Sequence, residues 1–204
     1  MGDSVDERKR TTLRRFAALG AATPFVGVAS GNSSTDARSE VPAAIRGYLS
    51  RTPGAHFSKL RDDLKLGTGE TQHHLRALTE AGEIESRRDG EYRRFFPAEQ
   101  FSEFEQIALG YLRRETPRKL LIELLDSPAD TGSALANRLE VSRATVSNYA
   151  SELEDAGLLD RSEQYAVDNP ETVLTLLVRY ADSFGPDAVA FAGRANELIR
   201  LDRS

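Results

Sequence analysis

Residues 68–82 read TGETQHHLRALTEAG, and this stretch predicts a short amphipathic helix. Thr71, Leu75 and Leu78 recur at spacings of three and four, which places them on one helical face. Thr68 offers a hydroxyl at the expected N-cap, and Gly82 is typical of the residue that follows a helix end. The opposite face carries polar side chains that can reach base edges or phosphates: Thr68, Glu70, Gln72, His73 and Arg76.

A second short helix is predicted immediately before this stretch, and a two-stranded ribbon immediately after it. Residues 57–64 form the helix, and Lys65-Leu66-Gly67 provides the tight turn between the two helices. Residues 83–88 and 91–96 form extended runs around Asp89-Gly90, a pair that favours a type I′ hairpin turn because both turn residues need positive φ. This order of elements is that of a helix-turn-helix followed by a wing.

The predicted ribbon carries four arginines: Arg87, Arg88, Arg93 and Arg94. Arginines on a protruding hairpin are suited to phosphate or minor-groove contacts, and a neighbouring polar helix strengthens that interpretation. The alternative is a solvated hairpin whose charges serve solubility. We predict that the helix over 68–81 reads the major groove of DNA and that the wing over 83–96 contacts the DNA backbone.

The same pattern recurs later in the chain. An offset of 75 residues aligns residues 49–84 with residues 124–159 without a gap, so that Gly82 falls on Gly157. The second copy of the polar helix is predicted over 143–156, with Ser142 as its N-cap. Its candidate DNA-facing residues are Arg143, Thr145, Ser147 and Asn148.

The wing of the second copy is short, and Arg161 is the basic residue that it contains. A wing with so little positive charge is a poor phosphate clamp. The second copy is therefore interpreted either as an auxiliary DNA reader or as a module for protein contacts.

These patterns predict a mainly α protein with small β-wings. Two tandem winged helix-turn-helix domains, residues 41–98 and 118–169, are joined by a connector helix within residues 99–117 and followed by two helices within 170–204. The apolar faces of the connector and tail helices either pack on the winged helices or pair between two chains. We favour a homodimer, since doubling a small contact surface strengthens binding.

Residues 56–97 resemble the winged helix-turn-helix of archaeal transcriptional regulators related to the ArsR and MarR groups. The resemblance rests on Leu66-Gly67, His74-Leu75, Ala81-Gly82, Arg88-Asp89-Gly90 and Arg94-Phe95-Phe96-Pro97. It implies a tandem winged helix-turn-helix transcriptional regulator of haloarchaeal type, with double-stranded DNA as its partner. The excess of arginine over lysine and the acidic pI suggest a salt-adapted source.

The charge of the chain is unevenly distributed. A net charge of −5 argues mildly against nucleic-acid binding, yet residues 41–98 contain ten basic and eight acidic residues. Residues 118–169 contain five basic and ten acidic residues, so the acidity belongs mostly to the second copy. A basic excess this small predicts weak binding of DNA by a single chain.

Several functional classes are disfavoured by what the sequence lacks. It contains no cysteine, which excludes disulfides, thiolate catalysis and Cys-based zinc sites. It contains no nucleophile elbow, P-loop, dinucleotide fingerprint or HExxH motif, so we predict neither an enzyme nor a cofactor. Adjacent His73 and His74 diverge by about 100° on a helix and do not share a face, so we predict no metal site.

Residues 1–40 have the layout of a targeting leader. A basic run that includes Arg8-Lys9-Arg10 and Arg14-Arg15 precedes an apolar stretch over residues 16–29, as in a signal peptide, and resembles a twin-arginine signal. That stretch is shorter than the roughly 20 residues of a membrane span. Three interpretations stay open: a loosely ordered leader on a cytoplasmic protein, membrane association through residues 16–30, and export. The second favours a different function, a winged-helix adaptor for proteins that is tethered at a membrane.

Overall fold

Helices dominate the computed structural model, which describes residues 3–20, 33–127 and 131–201. The described residues form two units, of which the first ends at Phe101 and the second begins at Ser102. Strands within them form two small antiparallel sheets. The predicted fold class, mainly α with small β-wings, is confirmed.

The first unit contains a helix-turn-helix and a wing. Its elements are α1 (Asp3–Gly20), α2 (Ser33–Arg51), β1 (Ala55–His56), α3 (Phe57–Leu64), α4 (Thr68–Glu80), β2 (Ile84–Asp89) and β3 (Tyr92–Pro97). Helices α3 and α4 are the predicted helix pair, and β2 with β3 is the predicted ribbon. Strand β1 was not predicted; it pairs with β3, so the sheet order is β1-β3-β2.

The N-cap of helix α4 lies one residue earlier than the sequence suggested. The N-cap is Gly67, and Thr68 is the first helical residue, because the Glu70 carboxylate accepts the N–H of Gly67 at 3.2 Å. The predicted inward face is confirmed: Thr71, Leu75 and Leu78 are buried. Gly82 follows the helix with φ +69°, a left-handed conformation that glycine adopts without strain.

The hairpin turn lies one residue further along than predicted. Asp89 pairs with Tyr92, so the two loop residues are Gly90 and Glu91 rather than Asp89 and Gly90. Gly90 has a positive φ of +58°, whereas Glu91 is not one of the described non-glycine residues with a positive φ. A positive φ at the first loop residue alone is the pattern of a type II′ turn, so the predicted type I′ turn is wrong.

The described part of residues 1–40 is folded onto the first unit. Leu13 of α1 is buried, Phe16 and Ala17 pack against the core, and the Phe16 ring meets the Tyr48 ring edge-on at 5.4 Å. Helix α2 begins at Ser33, and Pro42 lies inside it. Residues 3–20 and 33–40 are thus helical, and α1 packs on the core, whereas residues 21–32 lie outside the described ranges. The assignment of residues 1–40 as a leader stays a prediction.

Membrane association through residues 16–30 stays a prediction, because most of that segment is not described. Across the described ranges, no helix has both the length and the apolar character needed to cross a bilayer.

The second unit also contains a winged helix, and other helices surround it. Its elements are α5 (Glu103–Leu112), α6 (Glu115–Asp126), α7 (Gly132–Arg138), α8 (Arg143–Asp155), β4 (Leu159–Asp160), β5 (Ala166–Val167), α9 (Pro170–Arg179), α10 (Ala181–Phe184) and α11 (Pro186–Leu201). Pro117 lies in the first turn of α6, where its missing N–H costs little. The wing has two residues in each strand.

The tail helices pack within the second unit. Helix α9 contacts α5 and α11, and α11 also contacts α6. Leu177 and Phe191 of these helices are completely buried. Val189 of α11 is 44% exposed. Packing within the unit thus covers much of the predicted apolar stripe, and pairing between chains stays a prediction.

Candidate nucleic-acid interface

The solvent face of α4 presents the polar side chains that the sequence singled out. Thr68, Gln72, His73 and Arg76 are all exposed, on the side of the helix opposite to its buried stripe. The Nε of Arg76 donates to the carboxylate of Glu80 at 2.7 Å, one turn further along. The helix therefore offers an amide, an imidazole, a hydroxyl and a paired guanidinium to a groove of nucleic acid.

Glu70 is already engaged within the first unit. Its carboxylate accepts two hydrogen bonds from the Lys9 ammonium, at 2.9 and 3.2 Å, in addition to the one from Gly67. Burial raises the pKa of Glu70, but the bonds from Lys9 and Gly67 and the charges of Lys9 and His74 outweigh it, so the pKa is lowered. Glu70 is thus a charged partner of α1, whereas the sequence suggested a free side chain.

The wing divides its four arginines between solvent and core. Arg88 and Arg93 face each other across the β2–β3 ladder, and both are exposed. The Nε of Arg93 donates to the Ser86 hydroxyl at 2.8 Å, and the Nε of Arg88 donates to the Gly90 carbonyl at 3.3 Å. Arg87 is half-buried. The two exposed guanidiniums lie where a polyanion can approach them.

Arg94 does not belong to this exposed set. Its side chain is only 4% exposed and forms an ion pair with Asp89. Its Nη1 donates to the carbonyl of Gly54 at 3.0 Å, and its guanidinium lies 5.7 Å from the centre of the Tyr92 ring. Adjacent strand residues point to opposite faces, so Arg94 is turned inward where Arg93 is turned outward. The structure therefore gives Arg94 a role inside the wing, and we do not include it among the residues proposed to contact DNA.

An open cavity of about 530 Å³ separates the outer flank of α4 from the wing. Its lining consists of Phe57, Gln72, Leu75, Arg76, Thr79, Glu80, Arg93 and Phe95. The cavity brings together residues of the helix and the wing that are far apart in sequence. Sequence reasoning did not identify it, because it depends on the angle between a helix and a hairpin.

The two histidines of α4 have different surroundings. Their rings lie 5.1 Å apart, but His73 is exposed and His74 is half-buried. Burial, with the nearby charge of His73, lowers the pKa of His74. No group of three or more potential metal ligands occurs among the described residues.

The second copy has an equivalent helix but a different wing. In α8 the Ser142 hydroxyl accepts the N–H of Thr145 at 3.0 Å, which confirms Ser142 as the N-cap. Val146, Ala150 and Leu153 of α8 are buried and form its inward face. Among the candidate DNA-facing residues, Arg143, Ser147 and Asn148 are exposed, and Thr145 is half-buried. On the wing, Arg161 is paired with Glu154, so its charge is balanced within the unit.

Comparison with known proteins identifies both copies. A family model described as an N-terminal HTH domain matches residues 39–109. A MarR family model matches residues 118–166. The chain is therefore similar to helix-turn-helix proteins over two regions that lie in tandem. These two matched regions contain α3–α4 and α7–α8 respectively.

A curated relative is also named for a helix-turn-helix domain. The chain is 29% identical over 120 residues to a protein of Methanocaldococcus jannaschii named as an HTH-type transcriptional regulator, MJ1398. The match covers 59% of this chain but only 30% of the relative. The chain therefore spans less than a third of the length of that relative.

Proposed function

We propose that this chain is a DNA-binding transcriptional regulator in which α4 enters the major groove and the β2–β3 wing contacts the DNA backbone. One observation carries the proposal: Gln72 and Arg76 of the exposed α4 face line one open cavity with the exposed Arg93 of the wing. The exposed Arg88 is paired with Arg93 across the β2–β3 ladder. Base edges are read by polar side chains on a helix of this size, and backbone phosphates are held by arginines.

Arg93 is the wing residue that we expect to contribute most directly. It lines the cavity beside α4, and its guanidinium lies 5.8 Å from the centre of the Phe95 ring, which holds it against the sheet. A positioned guanidinium binds a phosphate with less loss of side-chain freedom than a fully mobile one. The residues proposed to contact the major groove are Thr68, Gln72, His73 and Arg76. Arg87 and Arg88 of the wing are proposed to contact the backbone together with Arg93.

Binding of the full chain to random-sequence duplex DNA across a salt series tests the proposal. We expect steep salt dependence for the wild-type chain. Arg93→Ala should weaken binding to every sequence and reduce the slope of log K against log [salt] by about one. Lys59→Ala provides a control, because it removes one exposed, paired cation from α3, outside the proposed contact. Undetectable binding at low salt would refute the proposal.

The second copy is proposed as an auxiliary DNA reader within the same regulator. Its exposed Arg143, Ser147 and Asn148 offer hydrogen bonds. Among the described residues of its wing, the arginine is Arg161, and it is paired with Glu154 of the same unit. Arg143→Ala should therefore lower affinity less than Arg93→Ala does, in the same assay.

The complete regulator is proposed to act as a cytoplasmic homodimer without catalytic activity. Two chains place two copies of α4 on adjacent half-sites, and a two-fold symmetric DNA site follows from that arrangement. Sedimentation equilibrium of the full chain, alone and with DNA, tests the dimer. A membrane-tethered adaptor for proteins is the competing function, and fractionation with membranes combined with no DNA retention would favour it.

A further inference from the structure

Helix α1 contacts the recognition helix directly. The Lys9 ammonium lies 2.9 Å from one carboxylate oxygen of Glu70 and 3.2 Å from the other, although 61 residues separate them in sequence. Both side chains are about one-third exposed, so the pair lies at the surface of the first unit rather than in its core. Leu13, Phe16 and Ala17 fix α1 in place by packing on that core.

We propose that α1 is part of the DNA-binding surface of the first unit, and that Lys9 acts there by neutralising Glu70 on the recognition helix. The inference rests on the proposed function, since it assigns a further element to the same interface.

The role of Lys9 follows from the position of the Glu70 carboxylate, which is unfavourable for DNA binding unless its charge is balanced. Glu70 lies in the first turn of α4, within the segment proposed to enter the groove, and a bare carboxylate there would repel the DNA phosphates. Lys9 balances that charge through a contact that survives without DNA. Glu70 is also retained by the fold, because it accepts the N–H of Gly67 and so caps the helix.

The rest of α1 has a charge that fits the same partner. Residues 8–15 contain five basic and no acidic residues, and the side chains of Arg10, Arg14 and Arg15 are exposed. Residues 3–20 contain five basic and three acidic residues, so they double the basic excess of the winged helix at residues 41–98, where ten basic residues face eight acidic ones. Arg14 lies 3.5 Å from the carboxylate of Glu40, so part of this charge is balanced within the unit. The remaining positive charge on the unit that holds the recognition helix raises affinity for DNA of any sequence.

A membrane surface is the less favourable partner for α1. An amphipathic helix binds a bilayer through its apolar face, and that face is occupied here because Leu13 is 4% exposed and Phe16 packs against Tyr48. Binding a bilayer would require α1 to detach from the core, whereas binding DNA leaves the observed packing intact.

Three full-length variants test the inference: Lys9→Gln, Glu70→Gln and the double variant. On random-sequence duplex, Lys9→Gln should weaken binding and lower the salt slope by about one, which corresponds to roughly a three- to fourfold change between 50 and 200 mM salt. Glu70→Gln should strengthen binding, because it leaves the Lys9 charge unbalanced. The double variant should bind like the wild type. Lys119→Gln is the matched control, since it breaks a Lys–Glu pair of the second unit.

Opposite signs for the two single variants distinguish this role from a purely structural one. If both variants weaken binding and lower thermal stability together, the pair only holds α1 in place and the inference is wrong. If all variants bind DNA like the wild type, and Lys9→Gln instead reduces co-sedimentation with phosphatidylcholine–phosphatidylglycerol vesicles, α1 serves a membrane. A wild-type chain that does not bind DNA at all refutes the proposed function itself, which is a separate result.

Discussion

Arg94 provides the sharpest test, because sequence and structure assign it opposite roles. Replacing Arg94 by Met keeps much of the side-chain volume but removes the ion pair with Asp89 and the hydrogen bond to the Gly54 carbonyl. Breaking one partner of a buried ion pair costs about 3–5 kcal/mol. Asp89 is 16% exposed and regains some hydration, so we expect a loss near the lower end, about 3 kcal/mol.

A loss of that size is large for a unit of this length. For domains of 60–100 residues each kcal/mol lowers the melting temperature by roughly 4–8 °C, so a decrease of roughly 12–24 °C is expected for the first unit. Hydrogen exchange of peptides from β2 and β3, followed in the full chain, reports on this unit separately from the second. Urea unfolding followed by circular dichroism gives the accompanying free energy.

The matched variant is Arg93→Met, one residue earlier on the same strand. Arg93 is exposed, so we expect little change in stability but a reduction of about one in the salt slope of DNA binding. Arg94→Met should leave that slope unchanged under conditions where the variant is folded. The reasoning fails if Arg94→Met is as stable as the wild type, or if it lowers the slope while Arg93→Met does not.

Two further outcomes follow from groups with shifted pKa values. In the second unit, burial raises the pKa of Asp187, but the two hydrogen bonds and the charge of Arg118 outweigh burial, so the pKa is lowered. The ion pair therefore stabilises the unit fully above the ordinary pKa of 3.8, and this stabilisation is lost as pH falls through the lower pKa of the folded state. Asp187→Asn should therefore destabilise this unit by about 2 kcal/mol at pH 7 and less under acid conditions, as measured by urea unfolding at several pH values. The pKa of His74 is lowered chiefly by burial, so stability should fall as pH drops through 6.5, and His74→Gln should flatten that dependence below pH 6.5. An unchanged pH profile in either variant would contradict the corresponding assignment.

The recognition helices were predictable because local rules determine them. The buried stripe Thr71, Leu75 and Leu78 follows from helical periodicity alone, and the same rule gave the inward face of α8. The Ser142 cap was correctly predicted because a hydroxyl at that position bonds an N–H three residues later. Gly67 was missed as the cap of α4, since it has no side chain to signal the role and the bond comes from Glu70.

The division of labour among the wing arginines could be predicted only in part. Alternation along a strand means that Arg93 and Arg94 point to opposite faces, so four outward arginines were not to be expected. Which of the two is buried depends on Gly54, which lies 40 residues earlier and reaches β3 through the unpredicted strand β1. The contact between Lys9 and Glu70 was out of reach for the same reason, because no local pattern links α1 to α4.

The small number of exposed wing cations bears on how the protein would bind DNA. Arg88 and Arg93 are the exposed arginines of the β2–β3 wing, while Arg94 neutralises Asp89 inside it and Arg76 is balanced by Glu80 on α4. A chain that neutralises about two or three phosphates gives a salt slope near −2 to −3 and only weak affinity at physiological salt. Two chains on one duplex double that slope without any new kind of contact. A measured slope near −5 with two chains bound would therefore agree with the homodimer, whereas the same slope from one bound chain would require cations of the second unit or of α1 in the interface.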